Sequence, residues 1–206
     1  MLVALATFTP AAVLIILLPG PDTLVTVRSI VRGGRRSGVA CAAGILLGLT
    51  VWVAAAALGL AALLRASEVG YAVLRVAGAA YLLWLGLQSL RSLRRGPVPA
   101  EAGPPRRGLL GTGFGAGLVS NLLNPKVGVF FVTFLPGFVP HGYPVGATSV
   151  LLGAVFVALS VLYYAVLVGL AGRVTGWMSS ARIRRRLDAV TGTVLVGFGI
   201  RLAVES

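Results

Sequence analysis

Pro19-Gly20-Pro21-Asp22 and Asn121-Leu122-Leu123-Asn124-Pro125-Lys126 interrupt an otherwise strongly apolar sequence. They lie 104 residues apart, Pro21 to Pro125 and Asp22 to Lys126, in a chain of 206. Pro19, Pro21 and Pro125 lack an amide hydrogen, and each ring crowds the preceding helical turn. Gly20 adds backbone freedom. A carbonyl freed in hydrocarbon costs several kcal/mol unless protein or water satisfies it. Such breaks therefore mark places where a helix runs against protein or a wet cavity. Asn121 and Asn124 have side chains able to bond the freed backbone groups. One break ends in a carboxylate and the other in the only lysine of the chain. Matched breaks in two halves of an apolar chain point to a transport site. Broken helix ends present amides to an anion and carbonyls to a cation, and a zwitterion such as an amino acid carries both groups.

The composition sets the class. The chain is 57% hydrophobic and 11% charged, with a mean hydropathy of +0.95, which is too apolar for a soluble domain of this size. The net charge of +13 does not imply a nucleic-acid partner, because the arginines cluster between apolar segments. A single cysteine, Cys41, excludes a disulfide framework or a thiolate metal cluster within one chain. A single histidine, His141, lies in a Pro/Gly-rich loop, so neither a metal site nor a catalytic relay is expected. No cofactor is expected either.

Six apolar segments can be read, over residues 2–27, 39–64, 69–90, 109–135, 145–171 and 187–204. A bilayer core needs about 20 helical residues. The first segment lacks a basic leader and a small-residue cleavage site and is read as retained. Arg28, Arg32, Arg35 and Arg36 fall between segments one and two. Arg91, Arg94, Arg95, Arg106 and Arg107 fall between three and four, and Arg173, Arg182, Arg184, Arg185 and Arg186 between five and six. The positive-inside bias puts these in the cytoplasm and both termini outside. A first segment that does not fully span would give five spans and an inward N-terminus.

The expected fold is an all-α polytopic membrane protein. Six transmembrane helices form two inverted three-helix repeats, with helices one and four broken. Residues 1–95 form the first repeat, 96–108 a Pro/Gly-rich cytoplasmic linker, and 109–206 the second. An odd number of spans per half inverts the second half. Gly38 and Gly142 follow the two breaks at the same offset, and Gly78, Gly86, Gly192 and Gly199 space the last helix of each half.

The candidate substrate and coupling residues are Asp22, Asn121, Asn124 and Lys126. Pro19, Gly20, Pro21 and Pro125 make the breaks, and Thr23, Tyr81 and Trp84 are candidate cavity-lining residues. Charge at membrane depth is costly and marks function by default. Two placements are open: Asp22 and Lys126 meet across the repeat axis, or each sits near an interface, with Lys126 reaching outward. Thr26, Thr50, Ser120 and Thr133, like Thr23, can bond backbone or substrate, with backbone the commoner use. Trp52 reads as an interface anchor or packing residue.

The chain resembles the lysine/threonine exporter (LysE/RhtB-type) family of amino acid efflux proteins over nearly its whole length. The resemblance begins with Pro19-Gly20-Pro21-Asp22-Thr23-Leu24 and the basic run Arg32-Gly33-Gly34-Arg35-Arg36-Ser37-Gly38. It continues through Gly44-Ile45-Leu46-Leu47-Gly48 and Ala77-Gly78-Ala79-Ala80-Tyr81-Leu82-Leu83-Trp84-Leu85-Gly86. Its last part is Gly113-Phe114, then Leu118-Val119-Ser120-Asn121-Leu122-Leu123-Asn124-Pro125-Lys126, running on to Phe130-Phe131 and Phe134-Leu135-Pro136. The resemblance implies a secondary exporter in the bacterial inner membrane, moving amino acids or related metabolites outward and coupled to protons. Its partners would be a small-molecule substrate, protons and the lipid bilayer; a homo-oligomer is compatible with the sequence. Many relatives carry an acidic residue and a histidine where this chain has Leu49 and Trp52, which favours a neutral or apolar substrate over a cationic one.

Three other classes compete. A thiol–disulfide electron carrier needs two thiols and has only Cys41. An intramembrane enzyme needs an acid/base or metal constellation that the sequence lacks. An exporter-fold protein moving a different metabolite, or serving assembly, is the alternative to amino acid export.

Overall fold

A computed structural model describes residues 1–60, 68–92 and 112–170, with scattered positions between 186 and 200. The described residues form helices and turns and contain no strand. Helix α1 (Leu2–Leu17) ends where Leu18 turns extended, and α2 (Pro21–Ala55) starts after Gly20. The break thus falls on the Pro-Gly-Pro run, with Pro21 at the first helical position, where its missing amide hydrogen costs nothing.

The run carrying Arg28, Arg32, Arg35 and Arg36 is not the loop expected between segments one and two. It is helical, with one departure at Gly34 (φ 70°, ψ −173°). Arginine is a good helix former, and all four side chains are exposed, so a single left-handed glycine makes the bend. A π-helical turn (Ala56–Leu60) continues α2, and α3 spans Glu68–Ser92. The second half opens with α4 (Phe114–Leu122), breaks at Leu123 and Asn124, and resumes as α5 (Pro125–Val129). This helix runs on with π and then 3-10 geometry to Phe138, and α6 follows over Val145–Gly169. The linker 96–108 and half of the sixth apolar segment lie outside the described residues.

Among the described residues, two helices are long and apolar enough to cross a membrane: Pro21–Gly59 and Val145–Gly169. The pair Phe114–Leu122 and Pro125–Phe138, bent by 50°, makes a third if it is one span. Helix α1 is apolar but shorter. Leu2, Leu24, Val31, Val51, Leu58, Leu162 and Val166 point outward and exposed, as the lipid-facing surface of a membrane protein does.

Two packing features position the breaks. Helices α2 and α4 touch backbone to backbone: a Cβ on Gly44 would collide with the Phe114 carbonyl, and one on Gly117 with the Cys41 carbonyl. Small residues permit this approach in membranes, where dispersion and close contact rather than water exclusion drive packing. The other feature is an aromatic cluster. Phe8 of α1 meets Phe138 edge-on at 5.3 Å, and Phe130 meets Phe156 of α6 at 4.9 Å. It fixes the segment after the second break against α1 and α6. Cys41 is fully buried within the core.

Candidate functional site

The two breaks come together. Asp22 lies in the first turn of α2 and is 6% exposed, buried against the second break. Its Oδ1 accepts from Ser120 Oγ at 2.6 Å, and its Oδ2 accepts from Asn121 Nδ2 at 2.9 Å and Asn124 Nδ2 at 3.0 Å. A carboxylate buried at a helix N-terminus is favoured by the helix dipole, and three donors replace its water. All three donors come from the second break, so the carboxylate of one half is held by the other.

Lys126 turns inward. Its Nζ donates to the carbonyls of Leu18 at 2.8 Å and Ile15 at 3.1 Å, at the end of α1. Ile15 would ordinarily accept from the amide four residues on, which is Pro19 and has no hydrogen. The ammonium thus satisfies a carbonyl that the first break frees. Lys126 neither snorkels outward nor shares a hydrogen bond with Asp22, although both line one cavity. The exchange is reciprocal: the second half's amides hold the first half's carboxylate, and the first half's carbonyls hold the second half's ammonium.

The asparagines divide their work. Asn124 Oδ1 accepts from the Lys126 amide at 3.1 Å and caps α5, which is the backbone role expected of it. The amide nitrogens of both residues go to Asp22 rather than to freed backbone. Asn121 Oδ1 is buried and has no partner within the protein. Its orientation follows from the carboxylate, since the opposite flip would aim oxygen at oxygen.

The cavity between the breaks measures about 30 Å³, room for a water or two. Asp22, Thr23, Asn121, Asn124 and Lys126 form its polar side, with Ser160 and Tyr164 of α6. Ile15, Ile45, Leu49, Val127 and Phe156 form its apolar side. Gly20 also lines it, and Pro19, Pro21 and Pro125 shape the chain around it. Thr23 bonds Tyr163 Oη at 3.1 Å and ties α2 to α6. Tyr81 and Trp84 are not in this wall: they stack at 5.5 Å on α3, with Trp84 exposed. Tyr81 beside it is half-buried.

Ser120 bonds the Asp22 carboxylate rather than backbone, whereas Thr26, Thr50 and Thr133 bond the backbone carbonyls of Asp22, Leu47 and Val129. Trp52 is more than an anchor, because its indole N–H donates to the Asn121 carbonyl at 3.3 Å. Sequence reasoning passed over Tyr163, Tyr164 and Ser160. Their signal was three hydroxyls within five positions of an apolar helix.

A family model described as LysE type translocator matches residues 13–206. An uncharacterized membrane protein of Pseudomonas aeruginosa is 36% identical, covering 97% of this chain and 94% of its own. A leucine efflux protein of Klebsiella pneumoniae is 32% identical, covering 96% of this chain and 93% of its own. A homoserine/homoserine lactone efflux protein of Salmonella typhimurium is 30% identical, covering 92% of this chain and 91% of its own. No solved structure matches the chain.

Proposed function

The chain belongs to the LysE type translocator family, and from that premise we propose that it exports amino acids or closely related small metabolites from the bacterial cytoplasm. The observation that carries this reading is the cavity where the two helix breaks exchange a carboxylate and an ammonium. Leucine, homoserine and homoserine lactone, in the names of its relatives, are all small primary amines. They suit a site with one fixed anion and one fixed cation.

The protein is then a multi-pass component of the inner membrane, with six spans as two inverted three-helix units, residues 1–95 and 109–206, joined by the linker 96–108. The two units rock about the central site, which opens to one side at a time. Asp22, Asn121, Asn124 and Lys126 form the substrate and coupling site, and Thr23 lines it. Protons drive the cycle, with Asp22 as the titrating group. The apolar side of the cavity, with Leu49 in it, supports a neutral or apolar cargo over a cationic one.

The test is amino acid efflux from cells lacking their own exporters, loaded with a panel of dipeptides, with and without the protein. Faster efflux of one group of amino acids, lost in Lys126→Ala at equal membrane insertion, supports export and names the group. Unchanged efflux of every amino acid, at verified insertion, overturns amino acid export and moves the cargo to another small metabolite or to none.

A further inference from the structure

The end of α1 is built as a seat for an ammonium group, and the protein fills it itself. Pro19 removes the amide that would pair Ile15, and the extended turn at Leu18 takes its carbonyl off the helix axis. Both carbonyls converge on Lys126 Nζ, at 3.1 and 2.8 Å. Gly20 leaves room for it: a Cβ there would stand 3.3 Å from Nζ and 3.6 Å from Cε. The Asp22 carboxylate lines the same cavity, so the seat combines two neutral acceptors with a nearby anion. With Lys126 in place the cavity admits only a water or two, and an amino acid does not fit beside it.

Resting on the export reading, we propose that Lys126 is a tethered stand-in for the ammonium of the cargo, displaced when cargo loads. The incoming ammonium takes the Ile15 and Leu18 carbonyls beside Asp22. The released Lys126 ammonium follows the cargo's carboxylate where there is one. One ammonium replaces another at the carbonyls, so no freed backbone group is left bare at any stage. Asp22 never faces the cavity without a cation, which keeps the cost of a buried lone charge out of the cycle. The cargo class follows from the acceptors. It must bring at least two N–H donors on a cationic nitrogen, so primary amines qualify. N-acylated and quaternary analogues do not, because they leave the carbonyls unpaired.

The experiment uses the full-length protein purified in detergent, with methylammonium chloride as the probe and tetramethylammonium chloride as the ionic-strength control. Lys126→Ala removes the stand-in. Its melting temperature is expected to fall below that of wild type, then to rise saturably with methylammonium but not with tetramethylammonium. Wild type, whose seat holds a tethered competitor, is expected to respond only at much higher methylammonium. An equal response of both proteins, or none in the variant, would overturn the proposal whatever is found for export.

A second measurement decides the matter if Lys126→Ala does not fold. Wild-type cells exporting an amino acid are compared with the same cells loaded with its N,N,N-trimethyl form. A loss on the order of a hundredfold is expected, because unpaired buried acceptors reject an analogue strongly. Equal efflux of the two would overturn the ammonium seat while leaving export intact.

Discussion

Gly48 lies against Asn121 so closely that a Cβ at position 48 would stand 2.5 Å from Asn121 Oδ1 and 2.9 Å from its Cβ. The glycine and the asparagine come from opposite halves of the chain. Their approach is set one helical turn earlier, by the backbone contact of Gly44 and Gly117 with α4 and α2 respectively. The position of the amide that holds Asp22 is therefore fixed by the absence of a side chain on α2.

Gly48→Ala is expected to push Asn121 off the carboxylate. Overpacking of this kind costs about 1–3 kcal/mol. The variant should insert, melt several degrees lower in detergent and export poorly. Normal efflux at a normal melting temperature would mean the close approach is not needed.

Asp22→Asn is nearly the same size and keeps an acceptor for some of the three donors. Its amide nitrogen faces donors where the carboxylate had an oxygen. Each hydrogen bond to a charged group contributes about 1.5–3 kcal/mol, so a stability loss in that range is expected. The sharper readout is efflux against external pH. Residual transport should become insensitive to pH, and a variant that kept its full pH dependence would rule out Asp22 as the proton carrier.

Trp52→Phe separates the indole's hydrogen bond from its bulk. The ring packs on Gly128, where a Cβ would stand 3.0 Å from it, and the N–H reaches the Asn121 carbonyl. Phenylalanine retains most of the packing and loses one hydrogen bond, about 0.5–1.5 kcal/mol. Thermal denaturation in detergent should register that small loss with insertion intact. A destabilisation well above this range would mean that the ring, not the N–H, holds the second break.

Topology can be read with single cysteines after Cys41→Ala. Arg35→Cys is expected to react with a membrane-impermeant maleimide only in permeabilised cells, and His141→Cys in intact cells. Both positions are exposed, so accessibility reports the side of the membrane rather than burial. Labelling of both in intact cells would contradict the cytoplasmic assignment of the arginines.

The breaks were legible because proline and glycine act locally. Pro19-Gly20-Pro21 and Asn124-Pro125 stop a helix wherever it is packed. The partners of the broken ends were not legible. The Ile15 and Leu18 carbonyls carry no residue identity, so no pattern of side chains announces that they receive Lys126. Ser120 looked like Thr26 and Thr133, a hydroxyl one turn from a carbonyl, and only the crossing of α2 and α4 aims it at Asp22. Trp52 reads as an anchor or packing residue, and it packs on Gly128; its N–H bond to a distant carbonyl carries no signal in the sequence. The bend at Gly34 was hidden among arginines that read as a loop because of their charge, although charge sets exposure and not backbone shape.

Helix α3 meets Gly192, Val196 and Gly199 at glycines. A Cβ on Gly86 would stand 2.8 Å from the Gly192 carbonyl, and one on Gly192 would stand 2.9 Å from the Gly86 carbonyl. Surfaces that mesh through side chains must unmesh to move, one rotamer at a time. Here each glycine is the notch for a side chain: Leu90 would stand 2.5 Å from a Cβ on Gly192, and Val196 2.7 Å from one on Gly86. The contact works as a catch rather than a bearing, so a bulky residue at either glycine would evict the side chain seated there.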